Sequence, residues 1–395
     1  MQKTSNNMPD IVITAGTAAG SVLALAEAIT AKIGCKAYIL CTDEITSKIL
    51  SSSKFIEEVF LIKKIDEESY IGSIKQWRET KAFEVLPILY FTTDTSCYYV
   101  DNYRGWFEQN FKVCLPSSHI IKSFTQKGLA EPEAFKNGLI IPKTLVIKNK
   151  VDISIVVQEF IFPVILKPQA TYLKNSIPFK IKVIKDKEEF LIIATNYVDS
   201  ERVFLCQEFI PGGNDSSFYY LFYRGKNGEI IENIGKKILQ STPNGGIMLK
   251  GKSEFNEELS KICKRFLENI NYQGIGGIEF KQYNNNFYFI EMSVRLEGFF
   301  KISEISNSPI SLVSYYDLTQ GTISKELLGT KQKDGYIYMT FLPVILNHLK
   351  NKKIKLLVVD GLRAIFDPKF KLDVFSYKSI KPFMLQFIYL FKRKS

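Results

Sequence analysis

Histidine is nearly missing from this chain: His119 and His348 are the only two in 395 residues, and they lie far apart. Six cysteines, at positions 35, 41, 97, 114, 206 and 263, are scattered without a C-x-x-C pair. A zinc site draws on clustered Cys and His ligands, so these absences argue against one. No run of ~18 apolar residues marks a membrane span. The opening stretch "MQKTSNNMPD" lacks the basic-then-apolar order of a secretory signal, and the expected compartment is a reducing cytoplasm. Internal repeats and low-complexity stretches are missing too. What remains, 46% hydrophobic and 24% charged, is the composition of a folded globular protein, long enough for two or three domains.

The net charge of +11 is unevenly spread. From Lys350 to the end, twelve Lys or Arg stand against three Asp, a local balance of +9 that leaves the first 349 residues at +2. No zinc-finger or ribonucleoprotein signature accompanies this basic end, so nucleic acid is not an expected partner. Its last segment, "KPFMLQFIYLFKRKS", has an apolar run from Phe383 to Phe391 broken only by Gln386 and bracketed by Lys381 and Lys392-Arg393-Lys394. Such a segment is too short to span a bilayer. It either lies on an anionic membrane surface, a peripheral contact at the inner face, or packs on the body as a last helix.

The first forty residues read as a βαβ unit: the apolar strand "IVITA", a glycine turn from Gly16 to Gly20, an amphipathic helix ending near Gly34, and the strand "AYILC". The turn lacks dinucleotide-fingerprint spacing and reads as a close strand-to-helix packing point. Strand-like runs recur at "VFLIKK", "VLPILYF" and "FKVCLPS", which predicts a small parallel sheet to about residue 116. Helical spacing then follows, interrupted at Pro132. In "FPVILKPQA" a buried strand ends in Lys167, placed at a strand mouth where it meets either a phosphate or solvent. "VFLCQEFIPGG" is another apolar strand, running into a hinge whose backbone is suited to a purine edge. On "GKKILQ", neighbouring side chains alternate between faces, so only one of Lys236 and Lys237 can point at a given site.

The stretch "GIGGIEFKQYNNNFYFIEMSVR" reads as a hairpin. Folded about Asn285, it pairs Tyr283 with Phe287, Lys281 with Phe289 and Glu279 with Glu291, leaving Ile278, Phe280, Tyr288, Ile290 and Met292 on an apolar face. Two carboxylates directly opposed destabilise a hairpin unless something neutralises them. Either a divalent cation does so, or Lys281 and Arg295 supply the counter-charge on a solvated face.

Taken in order, "SFTQKG", "FPVILKP", "CQEFIPGG", "KKILQSTPNGG" and "GIGGIEFK…FIEMSVR" resemble the ATP-grasp superfamily, especially its carboxylate-amine ligase branch, over residues 117 to 300. The resemblance implies an α/β fold: a small parallel-sheet domain (1–116), a two-subdomain ATP-grasp module (117–320) and a basic C-terminal extension (321–395). It implies an ATP- and Mg²⁺- or Mn²⁺-dependent ligase that joins a small-molecule carboxylate to an amine through an acyl phosphate. By the same resemblance, Lys127 and Lys167 grip the ATP phosphates, while Gln207, Glu208, Phe209 and Ile210 hold adenine and Asp215 takes the ribose. Lys237 reaches the transferring phosphate, Glu279 and Glu291 hold the metal, and Arg295 stabilises the intermediate. The family's acidic-x-Asn is here Glu291-Met292-Ser293, so a hydroxyl stands at the position of an amide ligand. The loop after Lys167 is poor in glycine, leaving Lys174, Lys180 or Lys182 to close over the triphosphate. The rival readings are a degenerate nucleotide-binding protein without turnover and a membrane-surface interaction protein.

Overall fold

The computed structural model describes residues 8–125, 127–168, 177–179, 181–242 and 245–392. Alternating apolar strands and amphipathic helices build the first layer. Strands β1 (Ile11–Ala15), β2 (Ala37–Cys41), β3 (Glu58–Leu61), β4 (Ile88–Tyr90) and β5 (Lys112–Val113) form an all-parallel sheet in the order β3-β2-β1-β4-β5. β1 is buried along its length, as expected of a central strand with both faces covered. The helix Ala19–Ile33 ends at Gly34, whose φ of 83° is the left-handed cap that glycine adopts without strain. Gly20 is a packing point, because Asp373 from the far end of the chain lies where its side chain would be.

A second, smaller sheet is antiparallel, in the order β6-β9-β7-β8, from β6 (Thr144–Ile147), β7 (Val164–Pro168), β8 (Lys182–Ile184) and β9 (Phe204–Glu208). The helices Lys150–Glu159 and Lys187–Asp199 cover one face, closing a core of its own around Val156, Leu166, Phe190 and Phe204. Strand alternation therefore turns Lys167 and Gln207 away from that core.

The third sheet has seven strands: β10 (Ser217–Arg224), β11 (Ile230–Thr242), β12 (Gly245–Ser253), β13 (Gly274–Tyr283), β14 (Asn286–Ser293), β15 (Ile337–Met339) and β16 (Phe370–Leu372), ordered β14-β13-β10-β11-β12-β15-β16. Phe218, Tyr220, Phe222 and Ile278 face one core, shared with Val12 and Leu89 of the parallel sheet. Tyr219, Leu221 and Tyr223 face the other, shared with Ile11 and Ile13. The parallel and seven-stranded sheets are thus held together by two continuous apolar cores, whereas the four-stranded lobe carries its own.

Several expectations change. The helix Lys127–Lys136 runs through Pro132 rather than stopping there. The segment from residue 321 contributes two strands to the large sheet, β15 pairing with β12 and β16 with β15. The last helix, Lys381–Lys392, packs on the body, with the Phe383 ring 4.8 Å from that of Phe341 and 5.4 Å from that of Phe375. The Lys392 side chain, Arg393 and Lys394 lie outside the described residues. Among the described residues no helix is long and apolar enough to cross a membrane.

Candidate nucleotide and metal site

The hairpin of β13 and β14 does set Glu279 opposite Glu291, by a route different from the expected one. Its turn has two residues, not three: Asn284 and Asn285 take φ of 48° and 62°, and Tyr283 pairs with Asn286. Asparagine tolerates that left-handed conformation, which favours the two-residue turn. The offset this introduces pairs Lys281 with Tyr288 and Phe280 with Phe289, and a bulge beside Ile290 then restores Glu279 to Glu291. The apolar face of β14 is accordingly Phe287, Phe289 and Met292, while Tyr288 and Ile290, expected in the core, are half-buried.

Glu279 also meets a lysine. Lys237 of β11 is buried, and its Nζ donates to the Glu279 carboxylate across β10. Lys236, its neighbour, turns to the opposite face, over the Phe218 ring and 2.7 Å from Glu254, so only one of the pair serves the site. Burial raises the Glu279 carboxyl above the usual carboxylate range, opposed by Lys237 and reinforced by the carboxylates of Glu291 and Glu297. Ser293 is buried opposite Gly277 and shares the face of Glu291, two residues on. A side chain on Gly277 would strike Glu297 Cγ at 2.8 Å, so glycine there lets Glu297 lie over the strand.

Arg295 is held by a carboxylate from the other end of the chain. Its Nε donates to Asp94 Oδ1 at 2.9 Å and its Nη2 to Asp94 Oδ2 at 3.3 Å, while Nη1 donates to Glu297 Oε2 at 3.3 Å. Asp94 opens the helix that follows β4, at the carboxyl end of a parallel strand, where sites in such sheets gather. Burial favours the neutral guanidine, but Asp94 and Glu297 outweigh it and hold Arg295 charged. Lys281 turns away from the glutamates: its Nζ donates to the carbonyls of Gly212 at 2.8 Å and Gly213 at 3.2 Å, pinning the hinge loop to the sheet beside Asp215. The counter-charge to Glu279 comes from Lys237; Arg295 is engaged by Asp94 and Glu297, and Lys281 by the hinge loop.

A second charged group lies against the small lobe. Lys167, expected at an open strand mouth, is buried, its Nζ 2.7 Å from Glu131 Oε1 on the helix Lys127–Lys136. Gln207 Nε2 donates to the same oxygen at 3.3 Å and to Thr144 Oγ1 at 2.8 Å. Glu131 Oε2 has no hydrogen-bond partner among the described residues. Glu208 accepts from the Lys143 amide at 3.2 Å, Phe209 is half-buried, Ile210 is buried and Asp215 is exposed. The Lys127 side chain, Lys174 and Lys180 lie outside the described residues; Lys182 sits 3.6 Å from Glu189. Sequence reasoning missed Glu131, Asp94 and Glu297. Only Asp94 carried a signal, as an acidic residue directly after a parallel strand.

The fit to a divalent cation rests on the donor set. Glu279 and Glu291 bring two opposed carboxylates, with Lys237 on Glu279, while Arg295 is engaged by Asp94 and Glu297. Among the described residues no three His, Cys, Asp or Glu side chains stand together as a ready-made cage. That suits Mg²⁺, which is commonly held by one or two carboxylates and completes its shell with water and phosphate oxygens.

The parallel sheet, the small antiparallel lobe and the large sheet bearing the glutamate hairpin together make the ATP-grasp fold. The structure resembles N5-carboxyaminoimidazole synthetase from Staphylococcus aureus, solved in complex with ADP, at a TM-score of 0.65 and 13% identity over 88% of this chain and 87% of that one. It resembles the biotin carboxylase of Campylobacter jejuni at 0.65 and 18%, over 84% and 76%. It also resembles the biotin carboxylase domain of the Hydrogenobacter thermophilus 2-oxoglutarate carboxylase, solved with MgADP, ADP and bicarbonate, at 0.61 and 16%, over 82% and 73%. No family model and no curated protein matches the sequence.

Proposed function

We propose that this chain is an ATP- and Mg²⁺-dependent ligase that joins a carboxylate to an amine. The observation that carries the reading is the opposed pair Glu279 and Glu291 with Lys237 on Glu279, near a half-buried arginine held by Asp94 and Glu297. The neighbours solved with ADP and with MgADP support it. Lys167 and Lys127 hold the nucleotide phosphates, the Gln207 to Ile210 hinge takes the base, and Asp215 takes the ribose. Glu279 and Glu291 hold Mg²⁺, with Ser293 contributing through its hydroxyl or a water. When bound, the metal offsets the charge of the triphosphate and of the carboxylates that carry it.

The reaction brings two anions together, so positioning and charge neutralisation supply most of the catalysis. A carboxylate oxygen attacks the γ-phosphorus, the bond from phosphorus to the β–γ bridging oxygen breaks, and ADP leaves. The amine nitrogen then attacks the acyl carbon, the bond from that carbon to the phosphate oxygen breaks, phosphate departs and the nitrogen loses a proton. Lys237 balances the transferring phosphoryl group, and Arg295, kept charged by Asp94, balances the acyl phosphate.

The test is ATP-dependent phosphate release screened over carboxylates, bicarbonate included, and amines. With the active pair found, carboxylate labelled with ¹⁸O passes one labelled oxygen to phosphate if the acyl phosphate forms. Release of unlabelled phosphate overturns that intermediate. Nucleotide binding with no release under any pair supports the reading without turnover, for which the hydroxyl of Ser293 at an amide's place is the motivating observation.

A further inference from the structure

The helix Ile354–Phe366 sits the wrong way round for a soluble surface. Ile354, Val358, Leu362, Ile365 and Phe366, three or four residues apart and so on one helix face, are 52% to 76% exposed. The residue it buries is its one carboxylate, Asp360. Asp360 Oδ2 lies 2.5 Å from Lys250 Nζ on β12 and 3.1 Å from His348 Nε2 on the preceding helix, Phe341–Lys350. A polar latch therefore fixes the inner side of the helix, and the apolar side is held outward. The preceding helix adds exposed Leu346 and Leu349. Around the turn between the two helices Lys350, Lys352, Lys353 and Lys355 are all exposed, with no acidic residue among them.

We infer that this helical hairpin, rather than the C-terminal helix, docks the protein on an anionic bilayer surface. An apolar stripe flanked by lysines is the pattern of a helix lying in the interface plane, its apolar side among acyl chains and its cations at phosphate headgroups. Contiguous exposed apolar side chains of this kind mark an interaction surface. Charge selects the occupant: an anionic membrane offers both the apolar phase and the counter-charge. A second copy, packed face to face on a two-fold axis, brings the same lysine cluster back to the same interface. The last helix is a weaker candidate, since Phe383, Leu385 and Tyr389 are spent on the body.

The experiment is co-sedimentation of the full chain with vesicles of phosphatidylcholine, with and without phosphatidylglycerol. Binding is expected to the anionic vesicles only and to weaken with salt. Leu362→Glu with Phe366→Glu abolishes it, and Lys352→Gln with Lys353→Gln weakens it by about fivefold per lysine. Met384→Glu with Ile388→Glu, on the exposed side of the last helix, leaves it unchanged. All these side chains are exposed, and an unchanged unfolding transition confirms each fold. The inference is overturned if the native chain ignores anionic vesicles, if the 362/366 variant binds as well as the parent, or if only the 384/388 variant loses binding. A lipid-free dimer dispersed by the 362/366 changes would assign the face to a second copy and overturn it equally.

Discussion

Removing Lys167 should cost both stability and catalysis, and the two losses are separable. The side chain is buried against Glu131, itself buried, with Gln207 on the same carboxylate oxygen. Truncating one member of such a pair leaves the other as an uncompensated buried charge, which typically costs about 3–5 kcal/mol. Lys167→Met is therefore expected to lower the free energy of unfolding by about that much. Replacing both partners, as Lys167→Met with Glu131→Leu, removes the orphaned charge and should recover most of the loss. Turnover should not return in the double variant, because Lys167 is assigned to the triphosphate. Urea denaturation of parent, single and double variants reads the first effect, and ATP-dependent phosphate release reads the second. A single variant as stable as the parent, or a double variant no more stable than the single, would refute the buried-pair argument. A double variant that regains turnover would remove Lys167 from the phosphate site.

Ser293→Asn, which lengthens the side chain on the face of Glu291, is expected to lower the Mg²⁺ concentration for half-maximal activity and leave the requirement for the organic substrates unchanged; an unaltered Mg²⁺ titration would take Ser293 out of the metal shell. Burial raises the Glu304 carboxyl from 4.5 to about 7, against hydrogen bonds from Ser311. The folded chain thus prefers the protonated acid, and that preference is fully present below pH 4.5 and lost as pH rises through about 7. Across that window stability should fall by up to about 3 kcal/mol, and Glu304→Gln should flatten the trend in pH-dependent denaturation. Lys301 Nζ donates to the carbonyls of Leu372, Asp373 and Phe375 at 2.9, 3.0 and 2.7 Å, so Lys301→Met should free the chain after β16. The expected loss is about 2 kcal/mol or more, with amide exchange rising first around residues 372–376; exchange rising evenly over the whole chain would contradict that role.

The glutamate pair was legible because hairpin pairing is local. Even so, it emerged through two offsets that cancel: a tighter turn than three asparagines suggested, and a bulge beside Ile290. The core face of β14 was misplaced for that reason, since a shift of one residue exchanges Tyr288 for Phe289. The alternation rule allowed only one of Lys236 and Lys237 at the site without saying which; the structure turns Lys237 to Glu279 and Lys236 to Glu254. Glu131 was not legible, because it meets Lys167 only when a helix crosses a strand 36 residues away. β15 and β16 were missed because three residues carry no readable period, and their place is set by the free edge of β12. The apolar stripe of Ile354–Phe366 was not read from the sequence, and its outward direction is fixed by Asp360, Lys250 and His348 together.

The central claim, that the face bearing Glu279 and Glu291 binds ATP through Mg²⁺, is tested most directly by calorimetric titration of the full chain with ATP, with and without Mg²⁺. The account predicts binding that strengthens with Mg²⁺ in the native chain. In Glu279→Gln with Glu291→Gln it predicts a folded protein whose ATP affinity no longer responds to the metal. A native chain that does not bind ATP at saturating Mg²⁺, or a double variant with an unchanged metal response, would contradict it.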